Sequence, residues 1–336
     1  ITYSVREETI EGTAGIFYTE ENTEITGNMI EGYTITNTFE VPDEKANVPV
    51  TKVWDDNSNK AGKRPSTIEI TLEGDTNTEE VGNETIRKAE LNIANEVEQN
   101  TSKWTYTFTE LPKYNELGNE VEYTVREETI EGIAGIFYTE ENTKVEGSTK
   151  QGYTITNTFE VPDDKISVNV TKEWNDNNNE AQRRPGSIVL IVTGDTDPEA
   201  EGNEITRRET ITAETNINPS NSNEWIYTVA ELPKYDTNGN EVEYTIDEEG
   251  TNSEFYQKTE VNQETRRIIN TFQVPGETVN VRVTKQWNDN NNQAQKRPPN
   301  VTLQVKDGEQ VVQSGIANVG NNWTYNFTVP KYNSLG

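Results

Sequence analysis

Residues 48–54 read Val-Pro-Val-Thr-Lys-Val-Trp, and the stretch returns at 168–174 and 281–287 as Val-Asn-Val-Thr-Lys-Glu-Trp and Val-Arg-Val-Thr-Lys-Gln-Trp. Apolar and polar residues alternate in all three copies, which is typical of a β-strand with one buried face. The alternation predicts that Lys52 lies on the apolar face, between a valine and a tryptophan. Burying an unpaired ammonium costs several kcal/mol, so this lysine must reach water, pair with a carboxylate, lose its proton or react.

The composition excludes several classes of function. The 336 residues carry 59 acidic and 29 basic side chains, a net charge of −30, which argues against nucleic acid or anionic membranes as partners. The chain has no cysteine and no histidine, so disulfide bonds, thiol catalysis and Ser-His-Asp triads are excluded. No apolar run is long enough to span a bilayer, and we expect no membrane insertion in this segment.

Internal repeats organise the chain. Tyr-Thr-Ile-Thr-Asn-Thr-Phe-Glu-Val-Pro at 33–42 recurs unchanged at 153–162, and 269–275 is a shorter third copy. The Val-Thr-Lys stretches follow one another at the same spacing as these copies. We therefore predict four segments: the C-terminal half of a domain at 1–43, complete domains at 44–162 and 163–275, and the N-terminal half of a domain at 276–336.

The two half-domains nearly add up to one complete domain. Residue 336 corresponds to Gly118 and residue 1 corresponds to Val121, so little sequence would be missing at a junction. Two interpretations follow: the chain is a window on a long tandem array, or copies of the chain complete each other head to tail. The near-identity of 7–23 and 127–143 indicates a uniform array and favours the first interpretation.

The spacing of the strand patterns predicts β structure throughout. Short alternating stretches are separated by polar turn-forming runs such as 55–59 and 175–179. The stretch from about 75 to 100 is the one plausible place for a short helix, and we predict loop and strand there as well. About seven strands per repeat, without a helical period, predict an all-β chain of tandem β-sandwich domains.

A glutamate and an asparagine join the lysine on inward faces. In the last strand of each repeat, alternation places an asparagine among apolar residues. In the strand that we predict to be the penultimate one, alternation places a glutamate among apolar residues. The asparagines are Asn37, Asn157 and Asn270, and the glutamates are Glu7, Glu127 and Glu248. No other ionisable residue recurs on the inward faces.

Burial changes the chemistry of these groups. A low-dielectric core favours the neutral lysine amine and the neutral glutamic acid, shifting each pKa by up to roughly 3–5. A neutral amine is a nucleophile, and a protonated carboxyl can polarise the asparagine carbonyl and then pass a proton to the departing ammonia. This predicts a Lys–Asn isopeptide bond formed once inside the folded domain. A buried Lys–Glu ion pair beside the asparagine, or a lysine that extends along a strand edge to water, explains the pattern equally well.

Five motifs in a fixed order give the chain a specific resemblance. They are Val-Thr-Lys-x-Trp, Lys/Arg-Arg-Pro, Leu-Pro-Lys-Tyr, Tyr-x-Val-x-Glu and Ile-x-Asn-Thr-Phe, which stand in the first complete repeat at 50–54, 63–65, 111–114, 123–127 and 155–159. In this order they resemble the B-type repeat of collagen-adhesin (Cna) surface proteins over essentially the whole chain. The resemblance implies inverse immunoglobulin-like, prealbumin-type sandwiches, outside the cell on Gram-positive walls and pili.

The resemblance also implies roles for the recurring polar residues. It implies autocatalytic isopeptide bonds joining Lys52 to Asn157 and Lys172 to Asn270. The catalytic residues would be Glu127 and Glu248. It leaves Glu7, Asn37 and Lys285 as unpaired half-sites, which would link copies of the chain if head-to-tail completion occurs.

These observations predict a structural function: a stiff, isopeptide-stapled stalk or fibre on the cell surface that resists force and proteolysis. The alternative is an adhesin whose repeats contact host or matrix molecules, although the loops are largely repeated and therefore favour structure. A turnover enzyme that acts on carbohydrate ranks last, because every repeat carries the same residues. We predict no cofactor and no metal site. The predicted partners are neighbouring repeats of the same chain and, in the head-to-tail case, other copies.

Overall fold

The computed structural model describes residues 1–76, 84–97, 102–202, 204–250 and 253–336. These residues form β-strands connected by turns and by helical segments of three or four residues, which confirms the predicted all-β class. Within the described ranges, no helix is long and apolar enough to cross a membrane.

The first compact unit consists of Ile1–Asp163 together with Tyr235–Glu241. Its strands are β1 (Thr23–Asn28), β2 (Gly32–Asn37), β3 (Lys45–Asp55), β4 (Thr67–Gly74), β5 (Thr85–Asn92), β6 (Lys103–Pro112), β7 (Tyr123–Glu127), β8 (Thr143–Ser148) and β9 (Gly152–Thr158). Its helical segments are α1 (Ala14–Phe17) and the 3-10 turns Glu20–Asn22, Ile93–Asn95, Ala134–Ile136 and Glu140–Asn142.

Two sheets of the first unit pack face to face. One has the strand order β6-β3-β9-β8 and the other β5-β4-β7, while β1 and β2 form a separate antiparallel pair. Apolar side chains from both larger sheets, among them Val50, Leu72, Val125 and Ile155, belong to one buried core. This shared core makes the repeat a β-sandwich, as predicted.

The first and last strands of this sandwich are neighbours. β3 and β9 run parallel, with Lys52 opposite Ile155 and Trp54 opposite Asn157. On its other edge β3 pairs with β6 in the antiparallel direction. The chain therefore enters and leaves the repeat along two adjacent strands that point the same way.

The second unit, Asp164–Lys234 with Val242–Gly336, repeats this arrangement. Its strands are β10 (Lys165–Asn175), β11 (Ser187–Asp195), β12 (Glu204–Thr212), β13 (Ile217–Asn218), β14 (Asn221–Pro233), β15 (Tyr244–Glu249), β16 (Tyr256–Asn262), β17 (Arg267–Phe272), β18 (Thr278–Thr284), β19 (Asn300–Asp307), β20 (Gln310–Asn318) and β21 (Thr324–Pro330). Its helical segments are α2 (Ala213–Asn216) and the 3-10 turns Asn290–Asn292 and Val319–Asn321. The sheet orders are β13-β14-β10-β17-β16, β12-β11-β15, β18-β21 and β19-β20, and β10 runs parallel to β17.

The structure corrects one feature of the predicted strand order. The strand that carries Glu127 is not the penultimate one, because β8 lies between β7 and β9 along the chain. β8 is an edge strand with an almost fully exposed burial pattern, so it lacks the apolar alternation that marks a buried face. In the region from 75 to 100, β5 confirms the predicted strand, whereas 77–83 and 98–100 lie outside the described residues.

Candidate functional site

Lys52 lies in the core of the first sandwich. Its burial follows from the alternation of β3, in which Val48, Val50 and Trp54 are also buried. The Lys52 side chain is 0% exposed, and its Nζ lies 3.7 Å from the centre of the Trp54 ring. Nζ donates a hydrogen bond of 3.0 Å to the carbonyl of Val53. The lysine therefore does not reach water, which excludes one of the interpretations left open by the sequence.

Asn157 lies beside this lysine on the neighbouring strand. In the parallel ladder between β3 and β9, Asn157 pairs with Trp54, and Ile155, two positions earlier on the same strand, pairs with Lys52. Residues two positions apart share a face, and such diagonal neighbours are within reach of a long side chain. Asn157 is 0% exposed, and neither atom of its amide has a hydrogen-bond partner among the described residues.

Glu127 approaches from the opposite sheet. It is the last residue of β7 and pairs with Ile70 of β4. Both of its carboxyl oxygens are buried, and neither makes a hydrogen bond of ordinary geometry to a described residue, although the Asn157 amide lies close enough to lower the pKa of the carboxyl. Glu127 also lines an open cavity of about 400 Å³, together with Tyr138 and Val145. The carboxyl therefore lies between the core and a route to solvent.

Burial changes the protonation of the lysine and the glutamate. Desolvation lowers the pKa of Lys52 from 10.5 to about 7, although the nearby Glu127 carboxylate opposes the shift. Desolvation likewise raises the pKa of Glu127, and the Lys52 charge opposes that shift. Both shifts favour the neutral pair, an amine beside a carboxylic acid.

A pH measurement tests this description of Lys52. In a Glu127→Gln variant, we expect the first repeat to gain stability as the pH rises from about 7 toward 10, by at most about 1.4 kcal/mol per pH unit. The unfolded chain keeps the Lys52 proton up to its ordinary pKa of 10.5, whereas the folded chain releases it at about 7 or below. The unfolded state thus binds more protons in this window, and stability rises with pH. Urea unfolding at several pH values measures the slope.

A second variant provides the control for the pH experiment. Adding Lys52→Met to Glu127→Gln removes the titrating amine and keeps all other groups, so the difference between the two curves reports Lys52 alone. Two curves of equal slope between pH 7 and 10 would show that the folded lysine keeps its ordinary pKa.

The second repeat brings the equivalent groups together more closely. Lys172 is 1% exposed, Asn270 is 0% exposed and Glu248 is 4% exposed. Nδ2 of Asn270 donates a hydrogen bond of 2.5 Å to Oε1 of Glu248, and Nζ of Lys172 lies 3.7 Å from the other carboxyl oxygen. Burial lowers the pKa of Lys172 to about 8, against the opposing charge of Glu248. Trp174 pairs with Asn270 in the parallel ladder, as Trp54 does with Asn157.

The half-sites are incomplete and more open. In the leading half-repeat Nδ2 of Asn37 donates a hydrogen bond of 3.2 Å to Glu7, and residues 1–43 contain no lysine. The prediction that Asn37 is buried was wrong: Asn37 is half-buried and Ile35 is 37% exposed, since β1 is the only strand among the described residues that pairs with β2. Lys285 is half-buried in the trailing half-repeat, 4.5 Å from the centre of the Trp287 ring.

A buried ion pair beside the site was missed by the sequence reasoning. Nε and Nη2 of Arg64 donate hydrogen bonds of 2.8 and 2.6 Å to Asp56, and the hydroxyl of Tyr138 donates a third at 3.0 Å. Burial raises the pKa of Asp56, but the bonds and charge of Arg64, together with bonds from the Asn59 amide and the Tyr138 hydroxyl, outweigh it and hold the pKa below its usual range. The ring of Tyr138 also makes an edge-on contact with the ring of Trp54. The sequence contains a signal for this pair, because in every copy of the Lys/Arg-Arg-Pro motif an aspartate stands eight residues before the second residue, an arginine.

Comparison with known proteins identifies the family. Residues 48–158, 168–271 and 281–336 match the Cna protein B-type domain. The chain belongs to this family. The Cna B-type resemblance inferred from five motifs is thereby confirmed, and the chain is an array of Cna B-type structural repeats.

Relatives of this Cna B-type array include the collagen adhesin of Staphylococcus aureus, which is 34% identical over 311 residues, or 92% of this chain. The chain spans 22% of the length of that adhesin. A crystal structure of two B repeat units of the S. aureus collagen-binding protein is 30% identical, with a TM-score of 0.38, and the alignment covers 94% of this chain and 72% of that one. The pilus adhesin SpaC of Lactobacillus rhamnosus GG is 13% identical, with a TM-score of 0.26, over 90% of this chain and 37% of that one.

Proposed function

We propose that the chain is a stalk-forming segment of an extracellular protein on a Gram-positive surface, and that isopeptide bonds staple its two complete domains, 44–162 and 163–275. The bonds join Lys52 to Asn157 and Lys172 to Asn270, with Glu127 and Glu248 as the catalytic residues. The observation that carries the proposal is the buried group of amine, amide and carboxyl, of which the amide of Asn157 and the carboxyl of Glu127 make no hydrogen bond of ordinary geometry to any described residue. Orphaned buried polar groups are costly and rare, so a reaction between them accounts for their placement.

A simple buried ion pair fits the geometry less well. In the second repeat Nζ and the Glu248 carboxyl are 3.7 Å apart, whereas charge-assisted N–H···O bonds are about 2.7–2.9 Å long. Nζ of Lys172 instead donates to the carbonyls of Glu173 and Ile268, at 2.8 and 3.4 Å. At this distance in a dry core, the attraction between two full charges would not offset the free-energy cost of removing both charges from water.

The proposed reaction is a transfer of the asparagine acyl group from ammonia to lysine. The neutral lysine amine attacks Cγ of the asparagine, while the glutamic acid stabilises the oxygen on which charge develops. The glutamate takes a proton from the attacking nitrogen and delivers one to the leaving nitrogen. An Nζ–Cγ bond forms, the Cγ–Nδ2 bond breaks and one ammonia leaves, so no oxidant or cofactor is needed. In the second repeat the leaving nitrogen already contacts the carboxyl.

The stalk role rests on the order of the strands. Because β3 and β9 are adjacent and carry the chain in and out, a bond between Lys52 and Asn157 would pass tension from one strand directly to the other. The residues between them would carry no load. A surface adhesin whose repeats contact matrix molecules remains the second candidate, because a relative of this chain is named a collagen adhesin.

Intact mass of the denatured chain tests the proposal. We expect the chain to be lighter than its sequence mass by two ammonia molecules, and tryptic mapping should recover branched peptides that join Lys52 to Asn157 and Lys172 to Asn270. Lys285 provides the internal control, because it should appear in an unbranched peptide. A chain of full sequence mass would rule out the bonds and would leave binding of matrix molecules as the function to test.

A further inference from the structure

An aromatic contact joins the leading half-repeat to the repeat that follows it, within the first unit. Phe17 is 7% exposed and stacks on Phe39 with 5.4 Å between ring centres. Tyr114 meets the Phe17 ring edge-on at 5.5 Å. The two phenylalanines belong to the predicted segment 1–43, whereas Tyr114 ends the Leu-Pro-Lys-Tyr motif of the next predicted domain. Such aromatic geometries add to the stability that burial provides.

The same contact occurs again in the first unit. Phe137 is 1% exposed and stacks on Phe159 at 5.5 Å, and Tyr235 meets it edge-on at 5.6 Å. Tyr235 ends the Leu-Pro-Lys-Tyr motif of the second predicted domain. The segment Tyr235–Glu241 nevertheless groups with the first unit. A turn supplied by one predicted domain therefore covers the aromatic core of the domain before it.

The second unit contains a third copy. Phe255 stacks on Phe272 at 6.2 Å, and Tyr332 of the trailing half-repeat meets it edge-on at 5.3 Å. The hydroxyl of Tyr332 also donates a hydrogen bond of 3.1 Å to Glu254. We call each such pair of phenylalanines, which receives a tyrosine from the following repeat, a socket.

A glycine closes each socket. Gly118, Gly239 and Gly336 follow the three tyrosines, and all have positive φ angles, of 79°, 71° and 68°. A Cβ atom at these positions would lie 2.8, 2.6 and 2.6 Å from the ring of the phenylalanine in its socket. No Cβ fits at such distances unless the ring moves. The backbone of the turn thus packs directly against the ring.

In the second and third copies, a basic side chain from the repeat that owns the socket also binds the turn. Nζ of Lys63 donates a hydrogen bond of 3.0 Å to Oδ1 of Asn240 and lies 5.7 Å from the centre of the Phe137 ring. Nη2 of Arg183 donates a bond of 2.6 Å to the carbonyl of Gly336, and the guanidinium lies 4.9 Å from the Phe255 ring. Lys63 and Arg183 are the first residues of two of the three Lys/Arg-Arg-Pro motifs. The motif therefore serves two purposes, since its second residue binds an aspartate within its own repeat.

We propose that the socket is a recognition surface for the next repeat of the array, and that the turn after each Leu/Val-Pro-Lys-Tyr motif stabilises the repeat that precedes it. The partner it fits is a turn that presents a tyrosine and, four residues later, a glycine with positive φ. The coupling is directional, because the socket belongs to one repeat and the turn to its successor. In a repeat array, such contacts act as nearest-neighbour terms in stability.

A substitution in the turn tests whether the coupling exists. In the full chain we expect Gly239→Ala to accelerate hydrogen exchange about tenfold or more at the amides of Tyr138 and Glu160, because the added methyl must displace the Phe137 ring. These amides are suitable reporters, since they donate to the carbonyls of Ala134 and Phe137 at 3.1 Å in both cases. They lie 101 and 79 residues from the substitution in sequence.

Gly202→Ala is the matched control for backbone strain. Gly202 lies in the same predicted domain and has a φ of 82°, but no atom lies within 4 Å of the position its Cβ would take. We expect this variant to leave exchange at Tyr138 and Glu160 unchanged. If Gly239→Ala also leaves these amides unchanged, or if both variants accelerate them equally, the directional coupling is wrong.

A milder variant guards against general unfolding in the first experiment. Lys63→Gln removes the exposed hydrogen bond to Asn240, and Lys63 is not part of the buried core, so the repeat keeps that core. We expect faster exchange at the Asp236 amide, which donates within the turn to the carbonyl of Asn240 at 2.8 Å. Lys144→Gln removes an exposed pair with Glu146 and is the control. Equal exchange in these two variants would show that the lysine does not hold the turn.

Discussion

A chain carrying Glu127→Gln should fold with its first repeat unlinked, and it should keep one ammonia more than the parent chain. Glutamine has the size of glutamate, but its side chain does not ionise and cannot act as a general acid or base. The lysine amine and the asparagine amide should therefore stay unlinked. The unlinked repeat should lose on the order of 4.7 kcal/mol of stability, the chain-entropy value for a closed loop of about 100 residues. Intact mass measures the first effect, and chemical unfolding of the first repeat measures the second.

Glu7→Gln is the matched control for this substitution. Glu7 occupies the equivalent position beside Asn37, but its half-repeat contains no lysine, so the same substitution should change neither the ammonia count nor the stability of the complete repeats. The Lys172–Asn270 bond of the second repeat should persist in both variants and show that the rest of the chain is intact. An undiminished ammonia loss in Glu127→Gln would remove this glutamate from the mechanism.

Pulling on single molecules should give the largest difference between the stapled and unlinked repeats. In the parent chain, the residues between Lys52 and Asn157 should not extend at any force that leaves covalent bonds intact. In Glu127→Gln, unfolding of the first repeat should release about 105 residues, or on the order of 350 Å of contour length at about 3.3–3.6 Å per residue. The force–extension curve should therefore show one additional long step per molecule.

The second repeat calibrates this force measurement. Its bond closes a loop of about 98 residues in both chains, so no step of that length should come from it in either. Adding Glu248→Gln to the first variant should produce a second long step. Long steps in the parent chain at the frequency seen in the variant would show that the strands bear the load without a staple.

Local patterns in the sequence were enough to predict the lysine and asparagine positions. Alternation depends only on which residues share a strand face, and β3 and β9 follow it closely, so the placement of Lys52 and Asn157 is confirmed. Alternation also placed Glu127 on an inward face, although it gave the wrong strand order because β8 is exposed. The register that sets Trp54 opposite Asn157 could not be read from either strand alone, since it depends on their pairing in the folded repeat.

The features that the sequence did not predict depend on distant partners. Asp56 belongs to a turn-forming run, and its burial depends on Arg64 and on Tyr138, which is far along the chain. Asn37 follows the same alternation as its two counterparts, but burial also requires a second strand beside it. Phe17 and Gly118 are unremarkable in a local pattern, because their contact is visible only when two repeats are placed side by side.

The side-by-side position of β3 and β9 also determines when each repeat can finish folding. The strands lie at opposite ends of the repeat, so their pairing closes one of the longest loops in the domain and must await the last residues of β9. Folds dominated by such distant contacts form slowly. A chain that emerges from the N-terminal end, during synthesis or through a narrow channel, therefore keeps each sandwich open until its final strand has emerged, and only then brings the lysine and asparagine together.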